Sequence, residues 1–380
     1  KKPRLDIDDE VRFLRSWIEK PLAMGAVMPS GKILARTMAQ YVDPRGEADL
    51  DALSFDPLSR QPLIASYRST VASNHGLDAD TQRHLRRLDG LLPHRDLRID
   101  IGRGAGARWL VETRAGHQQG SRWHLYDPAA GTVAALLDDR PHDMRSQRPA
   151  KRIAESDLAR KLPVSWRASD GMRLYGFVHL PPGRAVASLP LVVMPHGGPW
   201  NHWRPEYNGI SQFLANRGYA VFEPNFRGSS GHGRAYTFAA NGDFGNGRVQ
   251  QDIVDGTRFL LASGIGDAHR VGIVGVSFGG YSTLLGVTFQ PELFKVGVAF
   301  VPPPDFAWTL RWVLRHPESL EFGNVVPMAA WLRMLSLDVD DNTRMQTLRA
   351  QSPLANTARM NRPLLLVAGG EALEERTGQI

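Results

Sequence analysis

An α/β fold with a mostly parallel, doubly wound sheet, preceded by an all-β, propeller-like region, is predicted by three features of the 380-residue chain. Beyond about residue 162, short continuous apolar runs alternate with helix-compatible segments, the rhythm of strands buried on both faces and linked by crossover helices. Before about residue 140 the runs are short, alternating and separated by turn residues, as antiparallel hairpins require. The third feature is Val271–Leu285, where an apolar β-branched run stops at Gly275-Val276-Ser277-Phe278-Gly279 and continues as a helix, the sequence form of strand, sharp turn and helix.

In chain order, Val11, Leu14, Trp17 and Ile18 share a helical period over Asp8–Lys20, and Pro21 ends it. Extended runs follow at Lys32–Ala35, Leu63–Tyr67, Leu97–Ile101, Arg108–Thr113 and Arg122–Tyr126. The stretch Trp123–Val133, with its Asp127-Pro128 turn, reads as the hairpin of one propeller blade; closure takes at least four blades of about 40 residues, and this region supplies three at most. Gly102-Arg103-Gly104-Ala105-Gly106 imitates a dinucleotide loop, but a strand follows it where a phosphate site needs a helix, so it reads as a hairpin turn.

Polar, Arg-rich residues 141–162 form a linker, which puts the domains at 1–160 and 161–380. In the second domain Val164–Trp166 and Leu174–Leu180 pair across Ser169-Asp170-Gly171, and strands are expected at Leu191–Met194, Tyr219–Phe222, Val271–Val274, Val296–Phe300 and Leu364–Val367. Helices are expected at Ile210–Ala215 and Ile253–Ala262.

Composition narrows the function. The net charge of +7 raises a nucleic-acid reading, but the basic residues are scattered and often sit beside acids, with Arg83–Arg87 the only tight cluster. No run of about 18 apolar residues is present to span a membrane. Without cysteine there is no disulfide framework and no thiolate metal site, and the histidines lack metal-ligand spacing, so no metal or cofactor is expected. No signal peptide is read after Lys1-Lys2-Pro3-Arg4, and the compartment, cytoplasm or periplasm, stays open.

A serine is a weak nucleophile until a base takes its proton and donors hold the oxyanion. Ser277 at the turn is the candidate nucleophile. Gly197-Gly198, after the Leu191–Met194 strand, can bring a backbone amide to a substrate carbonyl, so Gly198 and the amide of Phe278 are the candidate donors. His196 reads as a structural histidine satisfied by backbone, because an oxyanion loop lies across the nucleophile from the base. His232, in a glycine-rich turn, and His316, before a proline, read as surface-loop residues. Trp308, Trp312 and Trp331, after Pro302-Pro303-Pro304, are placed either in a pocket wall or in a helix core.

Taken together, His196–Pro199, Asn225-Phe226-Arg227-Gly228-Ser229-Ser230-Gly231-His232-Gly233, Gly245 with Gln251–Asp255, Gly275–Tyr281 and Ser352-Pro353-Leu354 resemble the catalytic domain of the prolyl oligopeptidase family of serine peptidases, from about Leu162 to Ile380. The resemblance implies an α/β-hydrolase domain with a Ser-Asp-His triad, a propeller that restricts access to peptides, and peptide substrates, with Tyr281 and His196 beside the oxyanion and substrate residues. It also likens Pro29–Lys32 to the turn that opens the first blade.

Two departures stand out. Ala368–Thr377, where the family carries its aspartate, holds only glutamates; Glu374 matches best, with Glu371 and Glu375 as alternatives, and all three also read as solvated loop carboxylates. The family's histidine lies beyond that acid, whereas the last histidine here is His316. The expectation is therefore an incomplete version of a longer chain, or a module that has kept the fold and lost its base, and in either case weak turnover by the 380 residues alone. Esterase or acyl-transfer chemistry is the alternative within enzymes.

Overall fold

The computed structural model describes residues 48–104, 106–138, 153–316 and 328–368. The expected helix over Asp8–Lys20, the run Lys32–Ala35, the Pro29–Lys32 turn and the three candidate glutamates lie outside these residues. Contacts divide the chain into two compact units: Lys1–Lys161 with Arg204–Asn216 and Ser230–Arg234, and Leu162–Trp203 with Arg217–Ser229 and Ala235–Ile380.

The first unit contains two antiparallel meanders. Strands β1 (Leu50–Phe55), β2 (Pro62–Arg68) and β3 (Ala72–Gly76) form one, and β4 (Asp96–Ile101), β5 (Trp109–Ala115), β6 (Gln118–Asp127) and β7 (Thr132–Asp138) form the other, in blade-like order. The glycine-rich 102–108 segment is the β4–β5 hairpin loop, with Gly102 N–H donating to Arg108 O across Ile101 and Trp109 in register. Asp127 fixes the β6–β7 turn by accepting from the amides of Ala129 and Ala130.

Between the meanders runs helix α1 (Ala79–Leu91), which the sequence reading did not include. Asp78 caps it by accepting from Thr81 N–H, and Leu85 and Leu88 bury against Ile64, Leu97, Trp109 and Tyr126. The arginines of the tight cluster, Arg83, Arg86 and Arg87, thus lie on the outer face of an amphipathic helix: Arg83 pairs with Asp80, and Arg87 donates to Gly131 O. Three arginines elsewhere in this unit are likewise engaged. Arg68 pairs with Asp51 and Asp96, and Arg98 and Arg114 converge on Glu206. Burial raises the Glu206 carboxyl, but the two guanidinium groups outweigh it and hold the pKa below the usual glutamate range.

The second unit is built on a seven-stranded sheet of β8 (Arg160–Arg167), β9 (Arg173–Leu180), β10 (Leu191–Val193), β11 (Ala220–Asn225), β12 (Val271–Val276), β13 (Val296–Phe300) and β14 (Leu364–Val367). Its order is β14-β13-β12-β10-β11-β9-β8. Strands β10 to β14 are mutually parallel, whereas β9 runs antiparallel to β11. Parallel neighbours need crossover connections. Helices supply them in sequence: α2 (Gly209–Asn216), α3 (Arg234–Phe238), α4 (Arg248–Ala262), α5 (Phe278–Phe289), α6 (Phe306–Arg315), α7 (Met328–Met334) and α8 (Asn342–Ala350).

Helix α2 groups with the first unit, because Gln212 satisfies both backbone groups of Ala159 and donates to Gly116 O. Helix α5 packs on β12 and β13, and α4 on β11 and against α5. The core they enclose includes Trp166, Phe222, Ile253, Ile273, Leu285 and Phe294. Burial of each such side chain stabilises the fold by about 1.5–3 kcal/mol. This is an α/β-hydrolase sheet preceded by propeller-like antiparallel blades.

Candidate active site

Strand β12 ends at Val276 and α5 begins at Phe278, so Ser277 makes the whole turn, with φ 56° and ψ −120°. A non-glycine residue there is strained, and such strain persists only where the surroundings over-determine the backbone. Two hydrogen bonds do so: Ser277 N–H donates to Phe300 O at the end of β13, and Tyr281 N–H donates to Ser277 O to start the helix. Close backbone approach does the rest. A Cβ on Gly275 would sit 2.2 Å from Gly279 C and O, and a Cβ on Gly279 would sit 2.2 Å from Pro195 O. Strand, helix and the Pro195–Gly198 loop therefore meet with no room for side chains.

The result is an exposed serine beside a glycine loop. Ser277 is exposed, and its Oγ has no hydrogen-bond partner among the described residues. A Cβ on Gly197 would lie 3.6 Å from the Ser277 Cβ, so the loop backbone passes directly alongside the nucleophile position. Gly198 follows with φ +130°, a conformation glycine adopts freely. Phe278 is the first residue of α5, where an amide has no carbonyl to bind within its own helix, and this leaves a donor next to Ser277.

Behind the turn lies an aromatic layer. The Phe278 ring is 5.3 Å from Phe306, 5.7 Å from Tyr281, 5.8 Å from Phe226 and 5.9 Å from Phe244, centroid to centroid. Tyr281, read from the sequence among the oxyanion and substrate residues, is fully buried here and stacks on Phe306. Its hydroxyl has no partner among the described residues, and burial, with the charges of Asp305 and Asp243, pushes its pKa well up. It supports Phe278 from inside. Helix α5 is buried on every side from Phe278 to Thr288, so Tyr281 meets protein and not the cleft, which the motif spacing alone did not show.

His196 is buried as well. Its Nε2 lies 2.8 Å from Ser229 Oγ and its Nδ1 2.9 Å from Gly197 O, while the ring stacks on Phe226 at 4.3 Å. Burial holds it neutral, with a pKa down to about 3. It braces the glycine loop instead of reaching the surface.

Ser229 is held in turn by Phe226 O, which accepts from its Oγ at 2.6 Å and from its N–H, and two residues earlier in sequence Arg227 centres a charge network that the sequence reading missed. Arg227 donates to Asp252 through its amide, Nε and Nη2, and to Asp170 through Nη1 and Nη2; Arg248 also reaches Asp170 at 2.5 Å. Burial raises the Asp252 pKa to about 6 despite Arg227, whereas its hydrogen bonds with Arg227 hold the more exposed Asp170 well below the usual range. Residues 82 positions apart share one guanidinium here, and no local spacing could reveal that.

Other expectations resolve differently. His232 is buried, not a surface-loop residue. His316 caps the end of α6, its Nδ1–H donating to Trp312 O at 3.0 Å and its ring stacked on Trp312. Trp308 is 46% exposed and stacks with Trp312, which places it on the outer face of α6 and not in its core. The side chain of Trp331 and the candidate acid Glu374 lie outside the description. Among the described residues no group of three or more His, Asp or Glu could hold a metal, and no helix is long and apolar enough to cross a membrane.

Residues 205–371 match the family model described as the prolyl oligopeptidase family. Dipeptidyl aminopeptidase BIII of Pseudoxanthomonas mexicana is 32% identical over 257 residues, 65% of this chain and 34% of that protein. Dipeptidyl peptidase family member 6 of Caenorhabditis elegans is 30% identical over 275 residues, 64% of this chain and 36% of that protein. A puromycin-hydrolyzing peptidase of Mycobacterium tuberculosis shares the fold, with a TM-score of 0.56 at 20% identity over 73% of this chain and 39% of its own. The chain spans about a third of the length of the two curated relatives.

Proposed function

Because the chain belongs to the prolyl oligopeptidase family, we propose that it carries the nucleophile and oxyanion half of a serine peptidase acting on short peptides. One observation carries the reading: an exposed serine in a strained strand-to-helix turn, alongside a glycine backbone loop and the first amide of a helix. In the proposed reaction Ser277 Oγ attacks the scissile carbonyl carbon, a base takes the hydroxyl proton, and the amides of Gly198 and Phe278 hold the oxyanion. The base returns that proton to the departing amine, leaving an acyl-serine. Water then adds to the acyl carbon and regenerates Ser277. Glu374 is assigned as the acid that orients the base. We assign residues 161–380 to the hydrolase domain and 1–160 to the blades that limit access to small peptides.

A second reading has its own support: no described residue hydrogen-bonds Ser277 Oγ, as in a binding module that has kept the fold without the base. Without a base, the oxyanion donors and binding alone leave roughly 10³–10⁴ of acceleration over water. Hydrolysis of dipeptidyl arylamides and activated esters, by the 380-residue chain and by the chain with any polypeptide its gene encodes after Ile380, separates the two. The peptidase reading expects turnover, in the 380-residue chain or in the longer one, that disappears in Ser277→Ala. Absence of Ser277-dependent turnover from both would leave the binding module, and Ser277-dependent cleavage of esters with none of peptides would make the site an esterase.

A further inference from the structure

A cavity of about 570 Å³ opens in the second unit between the Ala239–Asp243 turn, the start of α4 and α8, and none of the residues assigned to the proposed chemistry lines it. Its volume is within the range of small-molecule sites, about 300–1,000 Å³. Two of its arginines have donors to spare. Arg248 uses Nη1 on Asp170, and Arg344 uses Nη1 on Asn241 O. Arg227 also lines the cavity, but its guanidinium is committed to Asp170 and Asp252.

Opposite charges stand beside the two arginines. Asp243 accepts from Arg248 N–H through Oδ2, and Asp341 accepts from Arg344 N–H through Oδ1, so the helix-start amides are already taken. Each carboxylate keeps lone pairs for a further donor. Ala240 and Leu348 add buried apolar floor.

We propose that this cavity binds a short peptide with both termini free, two or three residues long. The chemistry selects it. A simple anion meets the field of Asp243 and Asp341, and a simple cation that of Arg248 and Arg344, whereas a zwitterion pairs a carboxylate with the guanidinium edges and an ammonium with the carboxylates. Two or three extended residues span ~7–11 Å, a length on the scale of a cavity of about 570 Å³. The site also has a route to the nucleophile turn: Asp243 is followed by Phe244, whose ring lies 5.9 Å from that of Phe278.

The test does not require turnover, so it is independent of the peptidase reading. Calorimetric titration of the full Ser277→Ala chain with trialanine is compared with N-acetyl-trialanine amide, which has no terminal charges, and with succinate. Trialanine is expected to bind at one saturable site, and Arg344→Gln and Asp243→Asn are each expected to weaken it about tenfold or more. Thr347→Trp, which fills the cavity from α8 and keeps every charge, is expected to abolish binding and guards against misfolding of the charge variants. The proposal falls if trialanine shows no saturable binding up to about 10 mM. It also falls if the blocked peptide or succinate binds as tightly, or if binding survives both Thr347→Trp and Arg344→Gln.

Discussion

His196 Nε2 stands 2.8 Å from Ser229 Oγ inside the protein, and through this contact the loop that follows β11 holds the loop that follows β10. The ring is neutral, its pKa pushed down to about 3 by burial, against an ordinary value of 6.5. As pH falls from 6.5, the unfolded chain therefore takes up a proton that the folded chain refuses. Stability should decline across that window, to about pH 3, with a slope from this group of at most about 1.4 kcal/mol per pH unit. The check is the His196 ring resonance, expected flat from pH 8 to pH 5; a midpoint near 6.5 would show the ring open to water.

Arg227 is the hub of the same loop. Its removal strands Asp252, which has no exposed side-chain surface, without a cation. Arg227→Met is expected to cost about 3–5 kcal/mol in urea unfolding, and Asp252→Asn added to it should recover part of that loss. A cost below about 1 kcal/mol would mean that Asp252 finds its compensation elsewhere.

Ser277 holds a backbone conformation that suits glycine. Ser277→Gly should therefore be more stable than Ser277→Ala by about 1–3 kcal/mol, measured by chemical unfolding of the two variants side by side. Equal stabilities would show that the turn stores no strain.

Two glycine-to-alanine changes should have opposite signs. Gly279→Ala would put a methyl 2.2 Å from Pro195 O, with only backbone to give way, and should cost about 3 kcal/mol or more. At Gly90, inside α1, a Cβ meets nothing within 4 Å, and alanine should add about 0.5–1 kcal/mol. Melting temperatures of both variants decide the matter, and a stabilised Gly279→Ala would contradict the geometry of the turn.

The parallel sheet was legible because buried strands write themselves as apolar runs, and the Ser277 turn because its glycines bracket it at fixed offsets. Helix α1 is obscured in the sequence by the charge of Arg83, Arg86 and Arg87, although Asp78, Leu85 and Leu88 carry a cap and a helical period. What stayed hidden is non-local. The burial of Tyr281 depends on Phe306, which lies 25 residues on in sequence, and the role of Arg227 on Asp170 and Asp252. Such relationships exist only once the chain has folded.

The backbone contacts at Gly275 and Gly279 bear on how the motif itself should be read. Both glycines answer to clearance between strand, helix and loop, whatever chemistry the turn performs. A descendant of this fold that had abandoned catalysis would still be obliged to keep them, yet would be free to replace residue 277. Of the five letters in Gly275-Val276-Ser277-Phe278-Gly279, the outer two testify to ancestry and architecture, and the serine alone testifies to trade.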